Sequence, residues 1–301
     1  MKTIGLIGVG AMGEPMGVAL LRAGFDLRIC AHRNRRRVDR LVAKGAKEEM
    51  SPAAVAAASE AVITMLPDAP QVEDALFGEN GAHRGLAAGK LVIDMSTISP
   101  VASRALHQRL GAQNVGMLDA PVSGGPARAE KGELTIMVGG NEDAFRRGEP
   151  VLRALGTPTH VGPAGMGETV KLVNQIIIAS VMIADIEALV FAKKSGANID
   201  VVRRVIASAT GSNYILEKWL PQTWFAGSHA GGFALDLLRK DLNAALGAAA
   251  KLGVAMPATG LANQLYAAAS RAHGGDDYSA VATIFEDAAG VSVAPPTDGL
   301  P

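Results

Sequence analysis

Apolar residues in the first half of the chain fall in short runs at 3–8 (TIGLIG), 27–31, 61–66, 91–95 (LVIDM), 115–118 and 134–138 (LTIMV). Runs this brief, bounded by glycine or polar clusters, predict buried strands. Between them, apolar positions recurring every three or four residues predict helices over 12–23, ended by Gly24, over 35–43 and over 100–110. Strands alternating with helices imply right-handed crossovers and a mainly parallel sheet covered on both faces.

Past residue 159 the pattern changes. Gly162, Gly165 and Gly167 lead into a long helical stretch, 168–195, and further helices are expected at 201–208, 215–220, 235–252, 258–272 and 279–288. The expected organisation is an α/β N-terminal domain at 1–162, an all-α C-terminal domain at 163–290 and a flexible tail at 291–301. The first helix of the second domain is apolar over much of its circumference, which suits a central post and a homodimer or homotetramer.

Composition narrows the functional classes. A chain of 301 residues fits two domains at roughly 100–200 residues each. Lys plus Arg and Asp plus Glu number 29 each, so no global nucleic-acid footprint exists. The single cysteine, Cys30, excludes an intrachain disulfide and any cysteine-based metal cluster, and the six histidines show no metal-ligand spacing. The apolar run 176–184 stops at Asp185 and Glu187, short of the roughly 20 residues a bilayer requires. The apolar first 25 residues are interrupted by Glu14 and Pro15, with no small-residue cleavage site. The expectation is a cytoplasmic protein with no membrane or nucleic-acid partner.

Gly8-Val9-Gly10-Ala11-Met12-Gly13 is a G-x-G-x-x-G directly after the first strand, opening the first helix. In that context the glycines allow a tight turn, close approach of a pyrophosphate and close helix–strand packing, with the helix N-terminus supplying N–H groups. An ordinary strand-to-helix turn is the bland alternative. An NAD-preferring site expects an acid about 20 residues on. Here that stretch reads Ala31-His32-Arg33-Asn34-Arg35-Arg36-Arg37, with no acid between Asp26 and Asp39. Guanidinium forks suit a 2′-phosphate, so NADP is preferred over NAD, with Arg33, Asn34 and Arg37 as candidate contacts and Arg35 and Arg36 facing solvent. A solvated basic helix face would look the same.

Ser123, Gly124 and Gly125, after another strand, offer a hydroxyl and accessible N–H donors that suit a carboxylate, or form a plain turn. Lys171, Asn174 and Gln175 share one helix face at i, i+3 and i+4 in an apolar stretch. A desolvated lysine there suits proton transfer, and a snorkelling lysine fits the same pattern. Lys240 stands one turn after Asp236, a spacing that also describes a surface ion pair.

With Met65-Leu66-Pro67 and Asp94-Met95-Ser96-Thr97, the segments GLIGVGAMGEPM, DAPVSGGPARAEKGELTIMVGG, GMGETVKLVNQ and FALDLLRKD resemble the β-hydroxyacid dehydrogenase family over residues 1–289. That family includes 3-hydroxyisobutyrate dehydrogenase, tartronate semialdehyde (2-hydroxy-3-oxopropionate) reductase and succinic semialdehyde reductases that form 4-hydroxybutyrate.

The resemblance implies a 6-phosphogluconate dehydrogenase-like fold, an α/β Rossmann-like N-terminal domain followed by an all-α C-terminal domain, with the active site in the cleft between them. It also implies hydride transfer between NADP or NAD and a small carboxylate-bearing substrate. It assigns general acid/base chemistry to Lys171, the substrate carboxylate to Ser123, Gly124 and Gly125, and a substrate hydrogen bond to Asn174. Met65, Leu66, Pro67 and Thr97 would line the nicotinamide side, with Thr97 also near substrate. Gly8, Gly10, Ala11, Met12 and Gly13 would cradle the pyrophosphate, and Lys240 would close over cofactor and substrate.

Asn174-Gln175 departs from the paired asparagines of many members and resembles the tartronate semialdehyde reductases, making Gln175 a further candidate. Arg128, after the double glycine, is a second candidate cation for an anionic substrate. Imine reductases share the architecture, but usually lack a lysine at this position. A non-catalytic nucleotide sensor is the reading from another functional class.

Overall fold

The computed structural model describes residues 1–32, 35–227, 229 and 232–294. The chain forms two compact units, Met1–Lys171 and Leu172–Pro301. The first is built on strands β1 (Thr3–Ile7), β2 (Asp26–Cys30), β3 (Lys47–Glu49), β4 (Ala61–Thr64), β5 (Leu91–Asp94), β6 (Gly116–Asp119), β7 (Val122–Ser123), β8 (Leu134–Gly139) and β9 (Gly156–Gly162). Their order is β3-β2-β1-β4-β5-β6-β8-β7, with β9 beside β8. Strands β1 to β6 are mutually parallel, whereas β8 runs antiparallel to β6 and β7. The order 3-2-1-4-5-6 is that of a doubly wound sheet, whose ligand crevice lies beyond the carboxyl ends of the strands where the order reverses, here between β1 and β4.

Each expected strand forms, and the alternation of side chains explains both layers. Ile4 and Leu6 join Met16 and Leu20 of α1 (Gly13–Arg22) in one core. Ile7, Val62 and Val92 join Val55, Leu76 and Leu106 from α3 (Pro52–Ala57), α4 (Ala69–Phe77) and α5 (Pro100–Gly111) in a second core. The edge strand β3 reads KEE and carries no apolar run, so hydrophobic patterning does not reveal it. Helices α3, α4, α5 and α7 (Glu142–Leu155) are capped by the side chains of Ser51, Asp68, Ser99 and Asn141. Helices α2 (Arg35–Ala43) and α6 (Gly125–Lys131) complete the unit.

The second unit is helical, as expected. It contains most of α8 (Met166–Lys194), then α9 (Ile199–Ile206), α10 (Leu235–Leu252), α11 (Pro257–His273) and α12 (Ala282–Ala289). The segment expected as a helix at 215–220 is a π-helical turn, Ile215–Trp219. The core gathers Met182, Ile186, Trp224, Leu238, Tyr266 and Tyr278, and the Tyr266 hydroxyl donates to the Ala179 carbonyl at 3.2 Å.

The two compact units divide at 171/172, beside the expected domain boundary at 162/163, and the first turn of α8 groups with the first unit. Helix α8 runs on through Asp185 and Glu187 and, by length and composition alone, could cross a membrane. Its Ala179, Met182, Ile183, Ile186, Leu189 and Val190 nevertheless lie in the protein core, as in a central helix of a globular unit. The tail is ordered over 291–294: Val293 is buried and its N–H donates to Glu286 Oε1 at 2.7 Å.

Candidate active site

The glycine loop follows β1 at the switch point. Gly8 has φ +108°, and a Cβ there would lie 2.2 Å from the Met65 carbonyl oxygen; one on Gly13 would lie 1.9 Å from the Gly8 oxygen. The fold itself therefore requires these two glycines. Gly10 differs: it is exposed, and a Cβ would meet no atom of the described residues within 4 Å. The open space above Gly10 fits the close approach of a pyrophosphate, and among the described residues no side chain caps the N-terminus of α1 beside it. Ala11 and Met12 complete the loop, with Ala11 exposed and Met12 half-buried.

The arginines after β2 are more heavily compensated than the local sequence implies. Arg35 pairs with Asp39 at 2.7 Å and with Glu48 of β3 at 2.5 Å. Arg37 and Arg40 both reach Glu14 of α1, at 2.8 and 2.5 Å, and these guanidinium bonds, Arg40 first, hold the Glu14 carboxyl below its usual range. Arg37 Nη1 also lies 3.5 Å from the Gly10 carbonyl oxygen, which puts this candidate beside the glycine loop. Arg35, expected to face solvent, is 59% exposed but bound to two acids. Arg33 and Asn34 lie outside the described residues.

The ends of β4, β5 and β6 are joined by a polar web. Asp94 Oδ1 accepts from Thr64 Oγ1 at 2.8 Å and from the Ser96 N–H at 3.1 Å, and Ser96 Oγ accepts from the Leu66 N–H at 3.0 Å. Burial raises the Asp94 carboxyl above its ordinary value, and Asp119, its register partner on β6, adds to the rise. Met65 and Leu66 thus stand beside Gly8, followed by Pro67, and Thr97 sits between Ser96 and Ile98. The Ile98 N–H donates to Glu168 Oε2 at 3.1 Å, tying this loop to the first turn of α8.

Asp119 anchors that turn from the other side. Its carboxylate accepts from the Gly165 N–H at 2.8 Å, the Glu168 N–H at 3.1 Å and His107 Nε2 at 3.0 Å. A Cβ on Gly167 would lie 2.3 Å from the Asp119 carbonyl oxygen, so only glycine lets the helix approach this closely. One turn beyond Glu168 is Lys171, 7% exposed. A lysine this buried on a helix held at both ends of its first turn is not a snorkelling surface residue. Sequence reasoning misses the anchors Asp119, Glu168 and His107: no spacing links residues so far apart, and the one available signal is an acid ending a strand.

Ser123 closes β7, opposite Thr135 of β8. Gly124 and Gly125 follow with φ +138° and +70°, backbone conformations that favour glycine. The Arg128 stem lies against Gly124, where a Cβ would be 3.1 Å from the Arg128 Cβ.

In the second unit, Asn174 is half-buried and Gln175 is 1% exposed. Gln175 does not present its amide outward as a substrate ligand would. Its Nε2 donates to Asp241 Oδ2 at 2.7 Å and its Oε1 accepts from Asn174 Nδ2 at 3.0 Å. Lys240 pairs with Asp241 at 2.8 Å rather than with Asp236, which accepts from Ser270 and pairs with Arg239.

A doubly wound sheet with a pyrophosphate-shaped loop at its switch point and a buried lysine beyond it belongs to the nicotinamide-dependent oxidoreductases, and comparison with known proteins refines that class. Residues 3–169 match the NAD binding domain of 6-phosphogluconate dehydrogenase, and residues 165–285 match the NAD-binding of NADP-dependent 3-hydroxyisobutyrate dehydrogenase. The chain is 39% identical over 290 residues to 2-hydroxy-3-oxopropionate reductase of Escherichia coli K12, covering 94% of this chain and 97% of the relative. It is 38% identical over 297 residues to 2-(hydroxymethyl)glutarate dehydrogenase of Eubacterium barkeri, covering 96% and 97%. The structure of Mycobacterium tuberculosis 3-hydroxyisobutyrate dehydrogenase with L-serine superimposes with a TM-score of 0.88 at 32% identity, covering 94% of this chain and 99% of that one. The chain belongs to the β-hydroxyacid dehydrogenase family.

Proposed function

We propose that the protein interconverts a small 3-hydroxy acid and its semialdehyde with NADP(H) preferred, and that 2-hydroxy-3-oxopropionate is favoured over 3-hydroxyisobutyrate- or 4-hydroxybutyrate-type substrates. The observation that carries this is Lys171, buried at 7% exposure on a helix turn clamped by Asp119 and Glu168. A bound nicotinamide supplies or accepts the hydride. In the reducing direction Lys171 donates its proton to the oxygen of the forming alkoxide; in oxidation the neutral amine takes the hydroxyl proton. Ser123 and the backbone N–H groups at Gly124 and Gly125 hold the substrate carboxylate, with Arg128 beside them. Asn174 bonds the substrate, and Lys240 provides a cation. Thr97, Met65, Leu66 and Pro67 line the nicotinamide side.

The substrate preference is supported by the Asn174-Gln175 pair and by the 2-hydroxy-3-oxopropionate reductase relative; relatives of nearly equal identity act on other acids. The cofactor preference rests on the absence of an acid from 31–37. The test is NADPH and NADH oxidation with a panel of semialdehydes, alongside Lys171→Ala. We expect kcat to fall by about 100-fold or more with NADPH affinity little changed. Near-normal turnover by this variant would exclude the proton-transfer role.

We also infer self-association through α8, whose Val173, Ile177 and Phe191 are 50%, 55% and 74% exposed. A monomeric mass in light scattering would refute it.

A further inference from the structure

Four polar residues of the second unit form one continuous chain. Asn174 Nδ2 donates to Gln175 Oε1 at 3.0 Å, Gln175 Nε2 donates to Asp241 Oδ2 at 2.7 Å, and Lys240 Nζ pairs with Asp241 Oδ1 at 2.8 Å. Its two inner members are sealed from water, Gln175 at 1% and Asp241 at 2% exposure, whereas Asn174 and Lys240 are only partly buried.

The chain has a fixed polarity. A carboxylate paired with an ammonium group only accepts, so Gln175 must turn its NH2 toward Asp241 and its carbonyl toward Asn174. Asn174 must in turn spend an N–H on Gln175, which leaves its Oδ1 as the atom for accepting from a ligand. Reversing either amide would set two acceptors or two donors against each other in a buried site, at full desolvation cost.

Side-chain length matters too. Asparagine at 175 would be one methylene shorter and would fall short of an acid that Gln175 meets at 2.7 Å.

We propose that Gln175 and Asp241 are positioning residues that orient Asn174 as a hydrogen-bond acceptor and thereby select a semialdehyde carrying a 2-hydroxyl group. This rests on the activity proposed above and names its specificity determinant. A 2-hydroxyl can donate to Asn174 Oδ1; a 2-methyl of nearly the same size cannot, and leaves that acceptor unpaired. Sites that hydrogen-bond a substrate hydroxyl discriminate far more strongly than apolar pockets that sense only size.

The experiment compares kcat/KM for 2-hydroxy-3-oxopropionate and 2-methyl-3-oxopropionate with NADPH, using the full chain and the variants Gln175→Leu, Gln175→Glu and Gln175→Glu/Asp241→Asn. Wild type should prefer the hydroxylated aldehyde by about 100-fold or more. Gln175→Leu, which keeps bulk but loses the relay, should cut that ratio about tenfold or more while NADPH binding stays within about twofold. Gln175→Glu sets two carboxylates face to face and should also lose it. In the double variant the amide introduced at 241 donates to the carboxylate introduced at 175, which still accepts from Asn174, so the preference should largely return.

A structural role alone would lower thermal stability without moving the ratio, and it predicts no rescue. If wild type reduces both aldehydes equally well, the positioning role and the proposed 2-hydroxy-3-oxopropionate preference are both overturned while the semialdehyde-reducing activity stands; if only Gln175→Leu keeps the wild-type ratio, the positioning role alone falls. If wild type reduces neither aldehyde nor any other on the panel, the proposed activity falls and takes this role with it.

Discussion

Gly10 and Gly13 separate the demands of the cofactor from those of the fold. A Cβ at Gly13 would sit 1.9 Å from the Gly8 carbonyl oxygen, a backbone atom that cannot swing away; a Cβ at Gly10 would meet no atom of the described residues within 4 Å. Gly10→Ala should therefore leave the melting temperature unchanged or slightly raised, since replacing glycine at a permissive site stabilises by about 0.4–1 kcal/mol through the unfolded chain. Gly13→Ala should cost about 1–3 kcal/mol or more through overpacking. Dinucleotide binding should show the reverse sensitivity. A methyl on Gly10 would hold the pyrophosphate away from the N-terminus of α1. Losing one charge-assisted N–H bond costs about 1.5–3 kcal/mol, which is about 10- to 150-fold in Kd. Thermal melts of both variants, with NADPH titrations followed by fluorescence, measure the two effects separately. If Gly10→Ala binds NADPH within about twofold of wild type, the open space above Gly10 is not the pyrophosphate seat. If it melts as low as Gly13→Ala, the division between fold and function is wrong.

Burial raises the Asp185 carboxyl to about 6, with Asn213 bonding one oxygen and partly opposing the rise. The unfolded chain ionises near 4, so the penalty exists above pH 6 and fades as pH falls toward 4. Allowing for partial hydration, Asp185→Asn should stabilise the protein by about 1–2 kcal/mol at pH 7.5 and flatten this pH dependence, measured by urea unfolding at several pH values. Asp119→Ala would strand two buried backbone N–H donors and the part-buried His107 ring, and loosen the turn that carries Lys171. It should cost about 2–4 kcal/mol by denaturant unfolding and lower kcat more than it raises KM. The Cys30 thiol is buried and pushed up to about 11, chiefly by desolvation. Native protein should resist thiol reagents at pH 8 and react with one equivalent only when unfolded.

Features written locally are the ones legible in the sequence. Strands such as LVID and the glycine loop announce themselves within a few residues, and the parallel strands other than β3 and β9 follow from them. Lys171 is visible as a lysine in an apolar helix, but its setting is not. The groups that fix it, Asp119 and Glu168, act through hydrogen bonds to the backbone at Gly165, Glu168 and Ile98. Such bonds leave no periodic trace. Gln175 shows the same limit. Its position on the helix marks a face, whereas its hydrogen-bond partner Asp241 lies 66 residues away on another helix. The pairing of β3 is equally hidden, since KEE carries no strand signature and forms only because β2 offers an open edge.

The arginine cluster shows why such hidden partners matter for function. Between Asp26 and Asp39 no acid appears, so the local sequence describes uncompensated positive charge. In the folded unit the acids arrive from elsewhere: Glu14 from α1 engages Arg37 and Arg40, Glu48 from β3 engages Arg35, and Glu49 engages Arg28 at 2.9 Å. A 2′-phosphate at the end of β2 would therefore meet guanidinium groups already oriented by carboxylates. It would compete with Glu14 for Arg37, and its net attraction would be smaller than a count of arginines suggests. The same pairing has a compensating effect. Arg37 is held within 3.5 Å of the glycine loop instead of sampling solvent, so less side-chain entropy remains to be lost when a phosphate binds. Cofactor preference in this protein is thus a difference between pre-organised and partly neutralised charge, and it must be measured as a ratio of NADPH to NADH rather than read from the sign of the local sequence.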